Sequence, residues 1–419
     1  FDIVKPSSVS GIAAKILGYK TLSYDANGFV AEGSDFNGNV TRYRRDTSGL
    51  ELFRTEAAGT PSERTIATQW HESLRLPVSI TAPDKTTTFG YDGDGRLIWR
   101  SESDGEQSRE WQYRYTENSL LASIDGPRKD VEDITVFGYD ESGNLKTLDN
   151  ALGQRSEFLD YDANGRPLSM RDANGLETRW TYDACGRVIS KQVGGVLTQY
   201  QRDAVGQVVK IIEADGSYLA LTYDDAYRLI RVGDSGGNRI EYRLDANRNR
   251  LEQTVYDANN QLRQTLSRRF DALGRLSANL GADKQTTSVE YDDNDNVRGT
   301  TDPLNHKTTY AYDELNRLVR SIDGEGNAVL AAYDAGDRLQ AVTDALGYST
   351  EYRYDGLGNR RTVDSPDSGV SEYRYDAAGN LVASVDARGQ SVEYRYDALN
   401  RLTEIRDGEG MRIHFAFDQ

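Results

Sequence analysis

Apolar and polar residues alternate along most of this chain with the period of a strand. In the run Glu351, Tyr352, Arg353, Tyr354, successive side chains go to opposite faces, so two tyrosines share one face while an acid and a base share the other. The same order returns at Glu372 to Tyr375 and at Glu393 to Tyr396. Turn signals recur every 8 to 12 residues and no helical apolar period is sustained. The pattern predicts an all-β chain of short strands with no long helix.

These strands come in a fixed unit. An aromatic residue followed by Asp returns every 21 residues from Phe270 through Tyr291, Tyr312, Tyr333, Tyr354, Tyr375 and Tyr396 to Phe417. Seven equal steps identify a repeat protein, so a recurring residue is first a structural part. Two units, YDELNRLVRSIDGEGNAVLAA from Tyr312 and YDAAGNLVASVDARGQSVEYR from Tyr375, show the grammar: two turns and two strands. In the first turn, Asp292, Asp313, Asp334, Asp355, Asp376 and Asp397 supply carboxylates that accept backbone N–H bonds. Residues such as Gly358 and Gly379 close it by tolerating positive φ. A second Asp and Gly, as in Asp344 to Gly347 and Asp386 to Gly389, make the other reversal. Stacked hairpins would then set Tyr beside Tyr on one face and Glu beside Arg on the other.

The anchor persists in weaker form at Leu244, Tyr223, Arg202, Tyr182, Tyr161, Tyr139, Tyr115, Tyr91, Trp70, Arg45 and Tyr24. Steps lengthen to 24 residues on either side of Tyr115, to 25 before Trp70 and to 26 between Leu244 and Phe270. The organisation expected is a weakly patterned lead-in at 1–20, then a repeat region at 21–419 of about 18 units. Its irregular stretches fall near 46–69, 92–138 and 245–269, where loops or longer hairpins belong.

Composition sharpens this picture. Only 37% of residues are hydrophobic, yet there are 26 Tyr, a balance that suits a sheet wet on both faces. Disordered chains are equally polar but lack aromatics and strict turn spacing. The net charge of −17 argues against binding to nucleic-acid backbone. Forty Arg against ten Lys fit guanidinium groups held in fixed pairs or stacked on Tyr rings; the plainer alternative is solvated Arg on a strand face. The single Cys185, at a variable turn position, excludes an internal disulfide. No run approaches the length of a membrane span, and no signal peptide is visible.

A search for chemistry returns no catalytic, cofactor or metal site. His71, His306 and His414 fall at different places in the repeat, and no HExxH, CxxC or GxSxG string supplies partners. The strings DGDG at Asp92 to Gly95 and DDNDN at Asp292 to Asn296 imitate the opening of a calcium loop. They lack its Gly and bidentate Glu, and both fall on the first turn of the repeat. Asp302 and Pro303 fall on the second turn and read as structure too.

YDxxGRL followed by DxxG at this spacing resembles the YD repeat of the RHS family, which includes bacterial Rhs polymorphic toxins, the C component of Tc toxins, WapA proteins and animal teneurins. Residues 20 to 419 match the repeat. The segment WHESLRLPVSITAPDKTTTFGYD from Trp70 is similar to Rhs proteins of Gram-negative bacteria, commonly delivered by type VI secretion. The resemblance implies a long antiparallel strip that spirals into a hollow shell, the β-cocoon, around a C-terminal toxin domain. It further implies an immunity protein and a secretion-apparatus tip protein as partners, and a stay in the bacterial cytoplasm before secretion or injection into a target cell. The family's self-cleaving DPxGL segment has no counterpart in this sequence, so neither self-cleavage nor toxin activity is carried over to any residue. The function expected is a non-enzymatic shell segment; the alternative is an extracellular recognition module that binds glycan or protein.

Geometry bounds the shell. About 18 two-strand units at ~4.8 Å per strand make a strip roughly 170 Å wide, which closed into one ring would be about 55 Å across and one strand high. Such a ring would curve around cargo without sealing it.

Overall fold

The computed structural model describes residues 19–281, 283 and 285–418, so the lead-in at 1–20 lies almost wholly outside the described residues. The rest forms 37 strands in one sheet, from β1 (Thr21–Tyr24) to β37 (Arg412–His414), with no helix among the described residues. Each strand pairs antiparallel with the next in sequence, as in β26 (Val297–Thr301) with β27 (Lys307–Tyr312) and β27 with β28 (Leu318–Ile322). The chain is therefore one continuous meander with two rims of turns. One rim carries the aromatic-Asp turns, here called YD turns, and the other carries the second turns.

The two rims differ in backbone geometry. At each YD turn the register slips by one residue: Ala311 faces Arg320, but the next residue, Tyr312, faces Leu318. The second-turn hairpin of β28 with β29 (Ala328–Tyr333) keeps a regular register. A β-bulge bends its strand and increases local twist, so bulges repeated on one rim curl the strip. One second-rim hairpin breaks the rule. The run VYDANN between β22 (Arg250–Tyr256) and β23 (Leu262–Phe270) builds a bulged YD-like turn on the opposite rim, which returns Phe270 to its proper side.

There is no core in the usual sense. Among the described residues the buried apolar side chains are Ala57, Ala58, Ala278 and Ala383, and no large side chain is fully buried. The accessible surface is 25240 Å², whereas a compact monomer of this mass would show ~16,000 Å². The excess belongs to a single-layer sheet with two accessible faces. Along β31 (Ser349–Tyr354) the tyrosines are half-buried while Glu351 and Arg353 are exposed.

The expectation of Tyr beside Tyr is corrected. Tyr352 faces Val363, Tyr373 faces Ser384 and Tyr394 faces Ile405, because Tyr-rich strands alternate with strands that carry Val, Ser and Ile. Acid does meet base across strands, as at Arg395 with Glu404 (3.6 Å) and Arg243 with Glu252 (3.5 Å). Among the described residues no helix is long and apolar enough to cross a membrane.

The strip does not make one wide ring. The turn after β2 (Val30–Ser34) touches the turn after β25 (Thr286–Tyr291), through bonds between residues 255 to 259 positions apart. One coil thus takes 23 strands, a perimeter on the order of 110 Å and a width of about 35 Å. With 37 strands the chain completes that coil and lays part of a second beside it. The single ring is overturned because bulges at every YD turn supply more curvature than closing the whole strip would need.

Gly358 and Gly379 sit at φ 94° and 88°, with no backbone or core packed where a side chain would go. Gly358→Val should therefore lower stability by about 1–3 kcal/mol through backbone strain alone. The check is a denaturant midpoint, and an unshifted midpoint would contradict this account of the turn.

Candidate functional site

The site is built from the YD turn itself. In the turn at Asp313, one carboxylate oxygen accepts the N–H groups of Leu315 (3.0 Å) and Arg317 (2.9 Å), and the other accepts Nε–H of Arg317 (2.7 Å). The Arg317 guanidinium also donates to the Asp334 carbonyl of the next YD turn (3.1 Å) and lies over the Tyr333 ring (4.9 Å to its centre). Arg275 and Arg338 repeat this double duty. Where Asn replaces Arg, as at Asn296, Asn359 and Asn380, its amide still donates to the turn Asp. The turn arginines are thus paired and stacked, whereas Arg353 and Arg395 on the strand faces stay mostly solvated.

The aromatic anchor adds a second tie. Tyr291, Tyr312 and Tyr333 donate their hydroxyls to the carbonyls of Leu276, Val297 and Leu318, each just past the preceding YD turn (2.9 to 3.0 Å). Two anchors that break the Tyr rule keep the bond: Trp70 donates its indole N–H to the Glu51 carbonyl (2.8 Å) and Arg202 its guanidinium to that of Val188 (3.0 Å). At these two anchors a long side chain ending in a donor does the work of Tyr, whereas Leu244 and Phe270 hold the position without a side-chain donor.

The seam between the coils is where these turns do something beyond their own repeat. The YD turns at Asp292, Asp313, Asp334, Asp355, Asp376 and Asp397 face the second-turn rim of the first coil. Asn37 donates to Asp292 (2.9 Å), while Asn294 donates to Asp35 (2.7 Å). Ser62 donates to Glu314 (2.7 Å), Arg64 pairs with Asp337, and Arg338 with Asp84 (2.6 Å). The Gly356 N–H donates to Asp104 (3.0 Å). The deepest contact is Arg128, whose side chain is only 3% exposed. It donates to the Asp397 carbonyl (2.9 Å) and lies 3.5 Å from the Asp376 carboxylate, so it spans two YD turns.

Seam carboxylates sit in opposed fields. Burial works to raise the carboxyls of Asp292, Asp104 and Asp397. Hydrogen bonds outweigh it and hold all three below the ordinary range: from Asn296 and Asn37 to Asp292, from the Gln107, Glu106 and Gly356 backbone to Asp104, and from Arg401 to Asp397. Asp133, in the loop that carries Arg128, goes the other way: burial pushes it up and the neighbouring Asp125 adds to the push.

Gly356 is a residue that sequence reasoning passes over as a variable position in YDGLGN. Its φ is ordinary, but a methyl there would overlap the Asp84 carbonyl and the Asp104 Cβ of the neighbouring coil. Arg64 and Arg128 fall in the irregular stretches 46–69 and 92–138, so broken spacing was the one available signal. The histidines do not converge. His71 accepts turn N–H groups, His306 pairs with Asp302 (3.0 Å), and His414 lies exposed on β37. No group of three metal-ligating side chains occurs among the described residues. Cys185 is exposed.

A bulged single-layer meander coiled on its own rims matches a known sequence family. The family described as Teneurin YD-shell aligns with residues 7–243 and 238–419. The chain belongs to that family. Two bacterial relatives are similar over half of this YD shell. They are Double-stranded DNA deaminase toxin A of Burkholderia cenocepacia, 25% identical over 51% of this chain and 15% of its own length, and Toxin protein Tse5 of Pseudomonas aeruginosa, 29% identical over 51% of this chain and 16% of its own. The crystal structure of TcdB2-TccC3 without its hypervariable C-terminal region has the same fold. It superposes with a TM-score of 0.55 at 15% identity, over 94% of this chain and 24% of that one. The YD shell therefore spans a small part of each protein it resembles.

Two predictions concern the seam. Gly356→Ala should force the coils apart locally at a cost of about 1–3 kcal/mol, seen as faster protease cutting near Asp84 and Asp104 with β31 still protected; unchanged cutting would show that the turns do not press together. The depressed carboxyls of Asp104 and Asp292, which accept bonds from Gly356 and Asn37 across the seam, stabilise it fully above their unfolded value of ~3.9. That contribution is lost as pH falls through their folded values, while Asp133, raised, contributes only on the acid side. Seam protection should thus weaken in acid below about pH 4, and an acid-strengthened seam would refute the dominance of the first two.

Proposed function

We propose that this YD shell encloses and carries a C-terminal toxin domain of a secreted polymorphic toxin, and that the shell segment is itself non-enzymatic. Delivery by a type VI secretion apparatus, with a tip protein and an immunity protein as partners, is the route that fits the segment from Trp70. The observation that carries the reading is the overlap of the coils: Arg128, Asp84 and Asp104 bond to turns about 250 to 270 residues further on, so the wall grows taller than one hairpin. A stacked wall encloses volume, which one strip of strands does not.

The strand faces suit such a role. Half-buried Tyr alternates with exposed Glu and Arg, as along β31 and β33 (Gly369–Tyr375), giving many weak polar and aromatic contacts. Contacts of this kind hold a polypeptide without imposing one fold on it. The two toxin relatives support the class of cargo, since this region covers 15% and 16% of their lengths and leaves ample chain for other domains.

Limited proteolysis of the full-length protein tests the reading. The toxin domain should survive until the shell is cut, and should lose protection when the shell is shortened to these residues. Equal digestion in both would reject enclosure and put the recognition module first.

A further inference from the structure

We propose that the shell opens along the coil seam, as a salt-sensitive slit, while the strand ladder of each coil stays paired. The argument is one of unequal bonds. Within a coil every junction is a backbone ladder, five facing pairs between β22 and β23 for example. Across the seam the described strands form no ladder: all pairings join strands consecutive in sequence. What crosses is between one and four bonds per hairpin, each involving a side chain. Among them are Asn37 and Asn294 with the carboxylates of Asp292 and Asp35, Ser62 with Glu314, Arg64 with Asp337, Arg338 with Asp84, Gly356 with Asp104, and Arg128 with Asp376 and Asp397.

Those bonds share two properties. Most involve a carboxylate or a guanidinium, the Phe36 and Asn37 amides on Asn294 being neutral, and they are backed by little apolar burial, since Ala57 and Ala58 are the buried apolar residues of the first-coil rim. Several partners remain open to solvent, Asp337 at 44% and Asp84 at 26%. Partly exposed charge pairs are screened by salt, whereas neutral backbone bonds in a ladder are not. The same sequence element therefore makes a strong joint within the coil and a weak, charge-dependent joint between coils.

Unfastening the seam lengthens no strand and breaks no hairpin. The slit it opens runs along the wall, so its width is set by how far the second coil tilts away from the first. Arg128 is the tooth that resists most: it is buried and holds two YD turns, so the slit near Asp376 and Asp397 opens last. That the slit serves cargo release rests on the shell reading above; that it opens does not.

Hydrogen exchange on the full chain separates the two joints. The amides of Phe36 and Asn37, bonded to Asn294, and of Gly356, bonded to Asp104, report the seam. The amides between β31 and β32 (Arg360–Ser365) report the ladder. Raising salt until the Debye length falls from ~30 Å to ~3 Å should speed exchange at the seam amides about tenfold or more, with ladder amides changing less than about twofold. Asp84→Asn keeps the side-chain shape and removes one charge. It should raise low-salt exchange at Gly356 and reduce its response to salt. Seam and ladder amides accelerating together, or seam amides indifferent to both salt and Asp84→Asn, would overturn the proposal. Protease sensitivity of the toxin domain at the same salt concentrations tests its release independently.

Discussion

The shape of this molecule depends on the side-chain acceptor, in most units a carboxylate, at the head of its turns. A single-layer sheet has no interior to collapse around, so its shape must be set hairpin by hairpin. Asp313 does this by accepting two backbone N–H groups and one guanidinium N–H at once. Three bonds to one side chain fix the reversal, leave Asn316 at positive φ, and place the bulge at Tyr312. Repeated at each unit, the same small bend accumulates into a coil of 23 strands.

The arginines turn these local reversals into a wall. Arg275, Arg317 and Arg338 each bind their own Asp, reach the carbonyl of the next YD turn and cover the next aromatic ring. A lysine has neither the fork nor the plane for all three contacts, which accounts for the preference for Arg in this chain. The chain thus replaces a hydrophobic core by a rim of linked polar turns. Stability is spread over many equivalent contacts, which is the thermodynamics of a repeat protein and not of a globule.

Much of this was legible along the sequence because the forces are local. The turn Asp, the positive-φ Gly358 and Gly379 and the alternation of Tyr with Glu and Arg act within five or six residues of themselves, and a pattern of that range is written in the string. The facing of Tyr by Val363, Ser384 and Ile405 was missed because strands within one repeat were treated as equivalent. The likeness of two odd anchors to Tyr was hidden by chemistry: Trp70 and Arg202 look like departures, yet each delivers an N–H to the same kind of carbonyl.

The sequence by itself determined the strands, both kinds of turn and the order in which they pair, since each strand finds its partner within about twenty residues. It did not determine how many strands make a coil. That number is a sum of small bends, and a slight change in each would bring different turns together. Only the tertiary structure decided that Arg128 meets Asp397, that Asp104 meets Gly356, and that a variable glycine must have no side chain. Contacts about 250 to 270 residues apart leave no periodic trace, because they pair one repeat with another that looks like all the rest.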